Sequence, residues 1–156
     1  MKKSYSFAMF GILAALVLVG GLAGRAAGSS GRGSAAEARA MLERAVGAVK
    51  ANEPKALAEF TAGSQGFRDH DLYVFCARLD GTVDAHIDPV QIGRNIKDIY
   101  DINGVAFGQE MLAIAQDGQV KAINYEWPEP ASRTPVEKVT FFTKVADQVC
   151  GVGYYK

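Results

Sequence analysis

From residue 34 onward the hydrophobic positions switch between helical and extended spacing. Ala38, Met41, Leu42, Ala45, Val46 and Val49 recur every three or four residues, which predicts a helix with one apolar face. Arg39, Glu43, Arg44 and Lys50 fall mostly on the opposite side. Ser34-Ala35-Ala36-Glu37 matches a capping box, whose hydroxyl and carboxylate satisfy free N–H groups at the helix start. Asn52-Glu53-Pro54 interrupts the pattern, and Pro54 suits the first turn of a shorter helix through Phe60. Residues 61–71 hold two glycines and read as a loop. Two β-prone runs, 72–79 and 82–87, then flank Asp80-Gly81, a strong hairpin signal because Gly supplies the positive φ that tight turns need. After Asp88-Pro89 the stretch 90–100 reads as loop with a helical turn. Phe107, Met111, Leu112 and Ala115 predict a short amphipathic helix. Residues 119–127, 137–146 and 149–155 predict three strands, while Pro128, Pro130 and Pro135 argue against an interior strand between them. Helix, hairpin, short helix and meander imply an α+β fold. Its five-stranded, mainly antiparallel sheet carries the long N-terminal helix on one face and the loops and short helix on the other.

The N-terminal segment changes the picture. Lys2 and Lys3 precede residues 7–24, which carry no charge or strongly polar group. That is the layout of a secretory signal, and it is long enough for an uncleaved anchor. Residues 1–26 are therefore read as a signal peptide or N-terminal membrane anchor, 27–33 as a flexible Gly/Ser linker, and 34–156 as one folded domain. The expected location is periplasmic or extracellular. Net charge is zero over the whole chain, but four of the 17 basic residues (Lys2, Lys3, Arg25 and Arg32) precede residue 34. The domain thus carries 13 basic against 17 acidic residues, and no basic patch suited to nucleic acid is visible.

Several segments together resemble the single Cache domain, type 2. Leu72-Tyr73-Val74-Phe75, Asp80-Gly81 and Ala85-His86 are similar to its first hairpin, and Ile92-Gly93-Arg94-Asn95 to the segment after it. Asn103-Gly104-Val105-Ala106-Phe107 with Glu110-Met111 resembles its short helix, and Tyr125-Glu126-Trp127-Pro128 its third strand. Lys138-Val139-Thr140-Phe141 and the closing residues 150–156 resemble its last two strands. The resemblance implies a PAS-like sheet with a small-molecule pocket opposite the long helix. It also implies a sensory role in signal transduction such as chemotaxis, with a small organic acid or amino acid bound non-covalently. No second apolar span or signalling segment follows, so the expectation is a stand-alone domain acting with a separate membrane receptor or histidine kinase. A homodimer through the N-terminal helix is a further expectation. The second reading is an accessory module that pairs with a membrane sensor and binds no ligand.

Against that background, Cys76 and Cys150 are expected to pair. Export meets an oxidising compartment, and the PAS-like order places the first and last strands side by side. Two buried free thiols are the alternative. His86, at the end of its strand, either meets a ligand carboxylate or bonds the following loop. Tyr125 and Trp127 alternate onto one side of their strand, as a pocket wall or as ordinary core. Lys138 and Arg94 are candidate counter-charges, with an exposed surface position the commoner outcome for each. The Tyr73 hydroxyl reaches ligand or solvent. Asp69-His70-Asp71 reads as a solvated loop rather than a metal site, because adjacent side chains diverge. No cofactor is implied, and no catalytic arrangement supports an enzyme.

Overall fold

The computed structural model describes residues 31–130 and 132–156. The signal or anchor expectation for residues 1–26 lies outside the described residues. Helix α1 (Ala35–Ala51) starts at the capping box, where the Ser34 hydroxyl accepts the Glu37 N–H and the Glu37 carboxylate accepts the Ser34 N–H. Asn52 ends α1 and its side chain caps α2 (Glu53–Ala62), which stops at Gly63 with φ +61°. Strands β1 (Arg68–Asp69), β2 (Leu72–Arg78) and β3 (Val83–Ala85) follow. Two single 3-10 turns and α3 (Phe107–Ile114) come next, then β4 (Lys121–Pro128), β5 (Pro135–Val145) and β6 (Gln148–Tyr155).

The main strands run in the order β3-β2-β6-β5-β4, all antiparallel, so the first and last long strands are central neighbours. A sixth, two-residue strand appears where the sequence predicted only loop: β1 pairs with the start of β2. β3 is shorter than predicted because its outer edge is taken by the following segment. Val83 donates to the Arg94 carbonyl and accepts from Gly93, and Thr82 bridges Asn95. The prolines terminate strands without excluding them. Pro128 ends edge strand β4 directly opposite Pro135, the first residue of β5, where a missing N–H costs little.

Both sheet faces are covered. Ala38, Met41, Leu42, Ala45, Val49 and Phe60 from the helices pack on Leu72, Val74, Cys76, Val145, Cys150 and Val152. The opposite face, including Phe75, Phe142 and Val149, lies under Ile96, Phe107 and Met111. Each fully buried large side chain contributes roughly 2 kcal/mol. The apolar stripe of α1, expected to support a homodimer, is consumed inside the domain. Cys76 and Cys150 sit in register on β2 and β6 with Cα atoms 4.1 Å apart and form a disulfide beneath the helices.

The last linker residues are anchored where a flexible tether was expected. The Arg32 guanidinium bonds Glu129 at 2.6 Å and the Lys156 carbonyl at 2.7 Å, and the Gly33 N–H donates to Asp71 at 2.6 Å.

Candidate functional site

Side chains at alternate positions of β2, β6, β5 and β4 form the floor of a cleft on the face away from α1. Tyr73 and Phe75 project from β2, Tyr155 from β6, Lys138 and Thr140 from β5, and Tyr125 and Trp127 from β4. Gly151 and Gly153 supply the gaps between them. A Cβ at Gly151 would lie 2.8 Å from the Phe75 ring, and one at Gly153 would lie 2.6 Å from the Thr140 hydroxyl and collide with the Lys138 stem. Glycine at these two positions lets neighbouring side chains lie flat across β6.

The cleft has two compartments that share Tyr73, His86, Gln91 and Trp127. The inner one, about 40 Å³, adds Phe75, Val83, Ile96, Ile99, Phe107 and Tyr125, and no charged side chain lines it. Phe107 stacks on Tyr125 at 4.0 Å and meets Trp127 edge-on at 5.6 Å, so α3 closes the apolar end. The outer compartment, about 320 Å³, brings charged groups to the walls: Arg68, Asp71 and Asp88 line it alongside Tyr155. Asp101 fixes the connection that carries α3. Desolvation pushes its carboxyl up, but N–H bonds from Val105, Glu126 and Asn103 outweigh this and hold it below the usual range.

Lys138 is the unusual group. It is 2% exposed, and its Nζ lies 3.1 Å from the Tyr73 hydroxyl and 3.5 Å from that of Tyr155. The ammonium also sits 4.6 Å from the centre of each of those rings. No carboxylate among the described residues comes within ion-pair distance of it. Burial lowers its pKa, with Tyr125 and Asp71 opposing the shift. Burial likewise pushes the Tyr73 hydroxyl up to about 12 and raises that of Tyr155, so both stay protonated at neutral pH. The Tyr155 O–H donates to the Pro128 carbonyl at 2.9 Å, whereas the Tyr73 oxygen accepts from Lys138 and keeps its own hydrogen for the cleft.

His86 adds a second donor. Its Nδ1 accepts the Asp88 N–H at 2.9 Å, the shorter of its two contacts with that residue, which assigns the hydrogen to Nε2. Burial lowers its pKa to about 4, with the Asp88 backbone opposing the shift and nearby Lys138 reinforcing it. The imidazole is thus neutral in the folded protein at pH 7. Unfolding restores the ordinary value of 6.5, so the unfolded chain binds more protons between pH 6.5 and 4. Stability is expected to fall as pH drops through that window, by about 3 kcal/mol at full amplitude. The lowered carboxyls of Glu37, Asp80, Asp101 and Glu129 lose their contributions at lower pH, below their unfolded values of 3.8 or 4.5. Urea unfolding of His86→Gln from pH 7 to 4 tests this: the variant should show a much flatter slope, and equal slopes would refute the assignment.

Five of the six residues singled out as ligand contacts come together here. Tyr73, His86, Tyr125 and Trp127 line the cleft, and Lys138 lies directly behind Tyr73. Lys138 departs from the surface position usual for a strand-end lysine because both faces of β5 are covered. Arg94 does stay on the surface: it is exposed, holds Gln91 at 3.2 Å and does not line the cleft. The Gly93–Arg94 backbone is occupied with the edge of β3, which turns the side chain outward. Sequence reasoning missed Asp71, Gln91, Phe107 and Tyr155. For Tyr155 a signal existed, since Gly151 and Gly153 alternate with it along one face of a strand.

The family profile for the Cache domain matches residues 38–154. Over 90 residues the chain is 30% identical to the methyl-accepting chemotaxis protein McpP of Pseudomonas putida. That match takes in 56% of this chain and 16% of the receptor, so the chain spans about a sixth of the relative's length. Among solved structures, a methyl-accepting chemotaxis protein from Vibrio parahaemolyticus is 25% identical with a TM-score of 0.64, over 77% of this chain and 86% of that one. A periplasmic sensor domain of a chemotaxis protein is 26% identical with a TM-score of 0.62, over 77% and 93%. A Cache chemosensory domain described for its carboxylic acid recognition shares the fold at 24% identity and a TM-score of 0.57, over 74% and 84%. With the profile running from α1 to the end of β6, and the ligand-sized cleft on the sheet face opposite α1, the chain belongs to the Cache domain family.

Proposed function

We propose that this domain is an exported sensor whose cleft binds a small carboxylate with a short apolar tail and reports occupancy to a signalling partner. The observation that carries the ligand class is the buried Lys138 ammonium, which has no carboxylate partner among the described residues and stands behind a tyrosine hydroxyl that faces the cleft. A charge in so poor a solvent strongly favours an anion nearby. Tyr73 O–H and His86 Nε2–H supply two donors for carboxylate oxygens. Behind them the inner compartment is walled mainly by apolar and aromatic side chains, with Gln91 shared with the outer one, and its volume admits about three water-sized groups. No charged side chain among the described residues lines that compartment to neutralise a second carboxylate, so dicarboxylates are disfavoured. Export rests on the N-terminal charge and apolar pattern, together with the likeness to a periplasmic sensor domain.

Calorimetry on the full chain against acetate, propionate, butyrate, hexanoate and succinate tests the reading. Saturable binding should peak at two to four carbons and fall away for hexanoate and succinate. At a hundredfold excess over Kd the best ligand should add about 2.7 kcal/mol to unfolding stability. Absence of binding across this set, with a cooperative unfolding transition retained, would reject carboxylate sensing and favour the accessory interaction module.

A further inference from the structure

Two walls of the outer compartment are tied to the residues that lead into α1. On one side the β4–β5 connection carries Pro128 and Pro130, both facing the compartment, with Glu129 between them. Glu129 holds the Arg32 guanidinium at 2.6 Å and its connection internally: it accepts from Ser132 at 2.9 Å, and its backbone bonds Thr134 and Arg133. On the other side Asp71 lines the compartment, with Oδ1 accepting the Gly33 N–H at 2.6 Å. Its Oδ2 is buried and has no hydrogen-bond partner among the described residues. Arg32 is further fixed by the Lys156 carbonyl, next to Tyr155, whose hydroxyl holds Pro128. Residues 32 and 33 thus span from one cleft wall to the other, immediately before the α1 cap at Ser34.

We propose that Arg32 and Gly33 form a clasp across the outer compartment that couples its occupancy to the path of the chain entering α1. The inference rests on the cleft being a ligand site, and it names how the site communicates. A ligand that moves Pro128–Pro130 relative to Asp71 lengthens or shortens a span with hydrogen bonds at both ends. Asp71 lines the compartment and holds Gly33 through its other oxygen, so a shift of that wall acts directly on the Gly33 bond. Linkage makes the coupling reciprocal: if occupancy changes the clasp, breaking the clasp must change affinity by the same factor.

The test uses the full chain and NMR-detected exchange of the Gly33 amide. Saturating propionate should change its exchange rate at least fivefold. Tyr155→Phe, which releases Pro128 without touching Arg32, Glu129 or Asp71, should shift it in the absence of any ligand. Arg32→Gln should abolish the propionate response and alter the propionate Kd by a factor of about three to ten. An unchanged Gly33 rate in both arms, or an Arg32→Gln Kd within twofold of wild type, would overturn the clasp. Failure of propionate to bind counts against the carboxylate reading alone, because Tyr155→Phe still decides the coupling.

Discussion

Replacing Cys76 and Cys150 together by alanine is expected to lower unfolding stability by about 4 kcal/mol. The two residues are 74 positions apart, so the bridge closes a long loop from β2 to β6 in the unfolded state, with α1 and α2 outside it. They also face each other on β2 and β6, the two central strands, with no solvent exposure under α1 and α2. Closing that pair in advance removes the most expensive non-local contact that the sheet must make. For a domain of this size the loss corresponds to a fall in Tm on the order of 10–20 °C. Reduction of the wild-type protein should reproduce most of it, since the alanines add only small cavities. Chemical unfolding of the double variant measures the effect. A change below about 1 kcal/mol would mean that β2 and β6 are already associated in the denatured ensemble.

The backbone elements were more legible than the site. Ser34 and Glu37 announced the start of α1 because a capping box is a local device, complete within four residues. Asp80-Gly81 announced the hairpin for the same reason; Asp80 indeed accepts the Thr82 N–H at 2.8 Å, and Gly81 has φ +101°. What failed were readings that depend on what covers a strand. Along β5, Lys138, Thr140 and Phe142 on one face are as deeply buried as Val139, Thr143 and Val145 on the other. A strand covered on both faces carries no amphipathic signal. Arg94 took the exposed position given as the commoner outcome, with the backbone around it committed to extending the sheet edge. The Asp101 bonds to Asn103, Val105 and Glu126 were not legible either, because the third partner is brought in by β4.

Lys138→Met should weaken carboxylate binding at least a hundredfold while leaving the empty domain as stable as before or up to about 2 kcal/mol more stable. The two halves of this expectation come from the same burial. Taking an ammonium out of water costs several kcal/mol, and two tyrosine hydroxyls with two ring faces offset that only in part. Methionine keeps the stem length across Gly153 and removes the charge, so the empty cleft loses little packing. The ligand loses its nearby positive charge and the Tyr73 hydroxyl loses its polarising partner. A pH signature separates charge from packing. The folded pKa of Lys138 lies below its ordinary 10.5. The unfolded chain therefore binds more protons between the two values, and wild-type stability gains as pH rises through that window. The variant lacks that gain. Tyr73 and Tyr155, whose folded pKa values are raised, act oppositely and only near and above pH 10. Parallel calorimetry with propionate and urea unfolding at pH 7 and 9.5 would check both halves. A variant destabilised by several kcal/mol that still binds propionate with wild-type Kd would make Lys138 a packing post beneath the tyrosines. The counter-charge for the ligand would then have to come from elsewhere, with Arg68 among the cleft walls as the candidate.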